Sequence, residues 1–250
     1  MLRKIVTTAL LTAGLSVAAV AAQAETVKIH GSSTVANTLL LPNKAAIESA
    51  SGMSLAITGN GSSRGIADLM AGKSDMGAIS APLDITVAKI NKKKPGSVDG
   101  SQLQAHKVGE TVVAFALHKS NPVKNLTMAQ LSDILSGKVK NWKDVGGADK
   151  AIVVVVEGKG GGVRSMVEKE VLKGGDIKAK AKEVPNSAQV VKIVGQLPHA
   201  LGIAISATIG GNTVAAKTDQ VIAQPLILVT KGAPSASMTK VIDAARSVGG

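Results

Sequence analysis

Ile152-Val153-Val154-Val155-Val156-Glu157-Gly158-Lys159-Gly160-Gly161-Gly162-Val163-Arg164 is the stretch that decides the fold of this 250-residue chain. Five apolar β-branched residues in a row leave no polar face for water, so the pattern predicts a strand covered on both sides, as in a parallel sheet. Residues 158–162 make a glycine-dense turn, and residues 163–172 follow as a helix that Gly174-Gly175 ends. Strand, turn and helix in that order form one unit of an α/β fold.

The same unit occurs twice nearer the amino terminus. Residues 26–30 alternate apolar and polar, Gly31-Ser32-Ser33-Thr34 turns the chain, and residues 35–50 read as a helix anchored by Leu39, Leu40 and Ile47. Residues 54–58 are a short strand, 59–64 a Gly/Ser turn, and 65–71 a short helix closed by Gly72. A third strand over 75–80 runs into Ala81-Pro82, and the basic stretch 84–94 is helical. Farther on, residues 111–118 give an apolar strand, and 127–135 a helix that Thr127 caps and Gly137 ends. A helix over 187–195, strands over 201–205 and 225–230 and a final helix over 237–247 follow. Alternation of this kind predicts an α/β fold with mainly parallel sheets. Trp142 reads as a packing residue.

At the amino terminus, Arg3 and Lys4 precede an apolar run over 5–22, and Ala22-Gln23-Ala24 supplies small residues for cleavage. This is the pattern of a secretory signal peptide, residues 1–24, cleaved after Ala24. No later segment is apolar for long enough to span a bilayer, so the expected product is periplasmic and not membrane-embedded. The chain has no cysteine, hence no lipoprotein attachment site and no disulfide framework. Arg3 and Lys4 account for two of the formal charges of +12, leaving +10 after cleavage, a balance that favours anions.

The function classes narrow from there. One Phe, one Trp and no Tyr leave little for bases or sugar rings to stack on, which argues against nucleic acid and carbohydrate. His30, His106, His118 and His199 are far apart without metal-ligand spacing, so no metal site is expected. No nucleophile elbow is present, and the glycines around Lys159 lack the Gly-Lys-Ser/Thr ending of a nucleotide loop. The expectation is a protein that is not an enzyme and carries no cofactor. Lys92-Lys93-Lys94 is the only compact run of charge, and a run that short reads as a solvated loop or helix end.

Three corners remain: 31–34, 59–64 and 158–164, each a Gly- or hydroxyl-rich turn between a strand and a helix. A helix start leaves N–H groups unpaired and carries partial positive charge, and glycine lets an oxyanion come close to them. Hydroxyls add donors, and an arginine can hold two oxygens at once. In an open parallel sheet such corners gather at the carboxyl ends of the strands, where ligands bind.

Taken in order, Gly31-Ser32-Ser33-Thr34, Gly59-Asn60-Gly61-Ser62-Ser63, residues 75–83, Asn141-Trp142-Lys143-Asp144-Val145-Gly146-Gly147 and Thr230-Lys231-Gly232 carry a likeness. The chain resembles the phosphate ABC-transporter substrate-binding proteins, of the type 2 periplasmic binding-protein fold. That resemblance implies two α/β lobes, residues 25–113 plus 222–250 and residues 114–221, joined by crossing strands over 112–118 and 220–230. It implies a small oxyanion, phosphate first, bound by Ser32, Ser33, Thr34, Ser62, Ser63, Arg64, Ser80 and Arg164, with a permease as partner and the protein itself a monomer.

The chain also departs from the family pattern. Where members commonly carry Ser-Gly-Thr-Arg, this chain has Gly161-Gly162-Val163-Arg164, keeping the arginine and losing both hydroxyls. Backbone N–H groups at Gly161 and Gly162, with Lys159, are the expected replacements. The acidic residue or arginine common before the proline motif is absent at Ser80-Ala81-Pro82, leaving Asp84 or Glu157 to take a ligand proton. A rival reading keeps the fold and makes it a structural or signalling module that binds a protein or acidic polymer.

Overall fold

The computed structural model describes residues 24–249, so the expected signal peptide, Ala24 excepted, lies outside the described residues. In chain order the first elements are β1 (Thr26–Gly31), α1 (Ser33–Val35), α2 (Lys44–Ser51), β2 (Ser54–Gly59), α3 (Ser62–Met70), β3 (Met76–Ile79), α4 (Leu83–Lys93) and β4 (Leu103–His118). They are followed by α5 (Met128–Leu135), β5 (Val153–Glu157), α6 (Gly162–Glu170), β6 (Ala181–Val184), α7 (Ser187–Val194), β7 (Ala200–Ile205), β8 (Thr213–Ala215), β9 (Ile222–Lys231) and α8 (Ala236–Gly249).

The strands lie in the order β2-β1-β3-β9-β4-β7-β5-β6, with β8 also paired to β4. Pairing is parallel in β2-β1-β3 and in β7-β5-β6. It is antiparallel wherever β4 or β9 takes part. The fold is therefore a two-lobed α/β arrangement, with a parallel set of strands at either end and an antiparallel seam between them.

Both faces of each parallel set are covered, as the valine run predicts. Val154 and Val156 of β5 join Leu201, Ile203 and Ile205 of β7 in one hydrophobic cluster, while Val155 joins Ala200 and Ala204 in another. At the other end, Val27, Ile29, Met76 and Ala78 pack against Val241 and Ile242 of α8, and Ile79 packs against Ile66 and Leu69 of α3. The seam strands feed both ends. β4 gives Leu103 and Val108 to the first and Val113, Phe115 and Leu117 to the second; β9 gives Leu226–Val229 as individual side chains to the first and Ile222 to the second. Trp142 is buried in the second end and donates its Nε1–H to the His199 carbonyl at 2.9 Å.

Two local features differ from the sequence pattern. The helix expected over 35–50 is broken: Leu41 N donates to Ala36 O at 2.8 Å in a wider turn, and α2 starts afresh at Lys44. Pro42 has no N–H and cannot continue an α-helical ladder. The apolar strand expected from 111 begins at Leu103, because residues 103–113 pair with β9 from Lys231 back to Ile222. One face of that segment is solvated, and its register shifts between Lys107 and Gly109, which hides the strand period. Thr127 caps α5 as expected, accepting from Gln130 N while Gln130 accepts from Thr127 N.

Candidate functional site

The carboxyl ends of β1, β2 and β3 meet the carboxyl end of β5 across a cleft of about 880 Å³. Ser32, Ser33, Ser62, Ser63 and Arg64 line it from one side, and Gly161, Gly162 and Arg164 from the other. Of the ten residues expected to bind, Thr34 and Ser80 are outside the lining. Ser80 sits directly beneath it.

That floor is a small hydrogen-bonded knot. Ser32, buried at the start of α1, donates its hydroxyl to Ser80 Oγ at 2.8 Å and accepts from Val35 N at 3.3 Å. Ser80 N donates to Ser62 Oγ at 3.4 Å, and Gln224 of β9 donates its amide to the Ser80 carbonyl at 2.7 Å. The other amide atom, Gln224 Oε1, is buried without a partner among the described residues. Three serines from three strand ends are thus locked to the seam strand.

The α6 corner approaches this knot so closely that only glycine fits. A Cβ at Gly162 would stand 1.8 Å from Ser80 Oγ, and one at Gly161 would stand 2.7 Å from Glu157 Oε2. The close meeting of the two lobes thus falls at Gly162, which is glycine in the family pattern as well, whereas the hydroxyl-to-glycine exchange at Gly161 makes room for the Glu157 side chain of the same lobe.

Arg164 is 2% exposed, and its donors are turned toward the protein. Nε meets Glu168 Oε1 at 2.8 Å, and Nη1 meets Glu183 Oε1 at 2.6 Å and the Glu157 carbonyl at 3.4 Å. Burial opposes its charge, but Glu168 and Glu183 hold the guanidinium pKa above its ordinary value. Lys89 of α4 completes the chain from the facing lobe, donating to Ser165 Oγ at 2.9 Å and to Glu168 Oε2. Lys92 meets Asp176 at 3.4 Å farther out. The Lys89 bridge leaves no mark in sequence, since its partners lie 76 and 79 residues away.

Glu157 is a buried carboxylate of the cleft, 3% exposed, and unlike buried Glu168 it has no basic side-chain partner among the described residues, whereas Asp84 is exposed and outside the lining. Burial pushes its pKa up to about 7, against hydrogen bonds from the Ser187 hydroxyl at 2.9 Å and from the N–H groups of Ser187 and Val163. Those two N–H groups belong to the first turns of α7 and α6, so one side chain answers two helix starts. Among the described residues no group of three or more His, Cys, Asp or Glu side chains is arranged to hold a metal ion, and no helix is long and apolar enough to cross a membrane.

Residues 16–245 match the family described as the PBP superfamily domain. The chain belongs to that family. Among its PBP-superfamily relatives, the phosphate-binding protein PstS of Staphylococcus epidermidis is 35% identical over 130 residues, 51% of this chain and 38% of that protein. PstS of Pseudomonas aeruginosa is 28% identical over 75% of this chain and 60% of its own length. The match thus spans only about two to three fifths of these relatives. A Clostridium perfringens structure, described as a phosphate ABC-transporter substrate-binding protein with bound phosphate, superposes with a TM-score of 0.73 at 26% identity, covering 88% of this chain and 92% of that one.

Proposed function

We propose that this protein captures phosphate or a closely related oxyanion in the cleft and delivers it, lobes closed, to an ABC-transporter permease. The observation that carries the reading is the meeting of two helix starts, α3 at Ser62 and α6 at Gly162, across one cleft over a floor of serine hydroxyls. Bound phosphate in the Clostridium structure supports it. Ser32, Ser33, Ser62, Ser63 and Arg64 contact the anion from the first lobe, and the Gly161 and Gly162 N–H groups from the second. Ser80 orders the serines, Thr34 supports the first corner, and Arg164 shapes the second corner through its carboxylate partners.

Once ionised, above about pH 7, Glu157 is the acceptor for a proton carried by the ligand, which favours hydrogen phosphate and hydrogen arsenate over sulfate. The lobes divide near 113/114 and 221/222, although the apolar side chains of β4 and β9 change cores a few residues to the first-lobe side, between Val108 and Val113 and between Ile222 and Leu226. The working form is a monomer, exported by a signal peptide cleaved after Ala24.

The test is calorimetric titration of residues 25–250 with phosphate, arsenate, sulfate and molybdate. Heat with phosphate and arsenate is expected. Silence with every oxyanion at millimolar concentration overturns the reading.

A further inference from the structure

The cleft holds more positive charge than its inner end uses. Seven cations line it, and three of them are already matched: Lys89 and Arg164 by Glu168, and Lys92 by Asp176. Arg64, Lys93, Lys94 and Lys159 make no ion pair or side-chain hydrogen bond among the described residues, and all four are exposed lining residues, so they form the rim. Arg64 and the two α4-end lysines come from one lobe and Lys159 from the other.

The inner end has the opposite character. It presents the Glu157 carboxylate beside the Ser32 and Ser62 hydroxyls, and its cations, Arg164 and Lys89, are taken up by glutamates. A ligand therefore meets acceptors and hydroxyls inside and positive charge outside. One continuous cleft joins the Glu157 corner to all four rim cations. No aromatic side chain lines it, so a stacked base or sugar ring has no platform.

From this distribution we infer that the cleft takes an anion bearing two or more linked phosphoryl groups, a short oligophosphate. Its protonated end lies against the serines and Glu157, Arg64 spans the first and second phosphoryl groups, and the later ones lie along Lys93, Lys94 and Lys159. The inference rests on the capture reading above and names the ligand of that same site. Rim contacts to exposed lysines are individually weak and salt-sensitive, but one polyanion meets several together.

The probes are inorganic phosphate, pyrophosphate, tripolyphosphate and fructose 1,6-bisphosphate, titrated into residues 25–250 at low and at physiological salt. Tripolyphosphate is expected to bind one to one, at least about tenfold tighter than phosphate, with a steeper loss of affinity as salt rises. Phosphate should displace it. Lys93→Ser with Lys94→Ser, both exposed, should remove much of that advantage and leave phosphate affinity unchanged. Equal tightness for the sugar bisphosphate supports the multi-phosphoryl site and assigns its source to phosphorylated organic solutes. Phosphate bound as tightly as tripolyphosphate, or an advantage untouched by the double variant, overturns the inference and leaves phosphate capture standing. If no probe binds, both readings fall.

Discussion

Glu157 links stability to pH in a direction opposite to that of a surface carboxylate. Its pKa rises from 4.5 to about 7 on folding, so between those values the native protein holds a proton that the unfolded chain has released. The Glu157 contribution to stability is then full below about pH 4.5, falls as pH rises to about 7, and is flat beyond, a loss of about 3 kcal/mol at pH 8. His106 works the other way near pH 6.5, its pKa lowered first by burial and then by Arg246, so the comparison needs a variant. Glu157→Gln is expected to be more stable than the parent at pH 8 and to lose most of the decline between pH 5 and pH 8, read from thermal unfolding across that range. A parallel decline in both proteins would refute the assignment. Arg164→Ala should cost roughly 3–5 kcal/mol in urea unfolding, because it strips a buried partner from Glu168 and a near one from Glu183. A loss under about 1 kcal/mol would mean the cluster is not holding the corner.

At the scale of elements, α4 and α6 are tied across the cleft by Lys89. Lys89→Met keeps the length of the side chain and removes its charge and donors. It should weaken anion binding about threefold to tenfold and enlarge the radius of gyration in small-angle scattering, with little change in unfolding midpoint. Unchanged affinity and dimensions would show that the bridge carries no closure. Elements were legible where one signal was strong, as in the both-faces-covered valines of β5 or the Thr127 cap. They were hidden where a signal was mixed. The first half of β4 has one wet face and a register shift, β6 is a strand of only four residues, and β8 is one of three residues whose partner, β4, is distant in sequence. The site followed the same rule. Hydroxyl and glycine corners are local in sequence and could be named in advance; Lys89 and Glu168 in the cleft, and Glu183 and Gln224 behind it, are brought there by contacts that no spacing records.

For the whole molecule, the shared seam predicts one cooperative unit. β4 runs unbroken from one core to the other while β9 pairs along it, so neither lobe can lose its sheet without exposing apolar residues of the other. Trp142, the sole tryptophan, reports the second lobe, and far-ultraviolet circular dichroism reports both. Their urea transitions should coincide, and two separated midpoints would show lobes that melt alone.

The return of β9 also orders events in time. β3 finds its antiparallel neighbour about 150 residues downstream, with Gly77 opposite Val229, whereas β5, β6 and β7 are neighbours within about 50 residues. The second lobe can begin to assemble from nearby pieces of chain. The first lobe, although it is made first, must wait for nearly the last strand before its sheet closes, and loop closure over that distance makes it the slow step of folding.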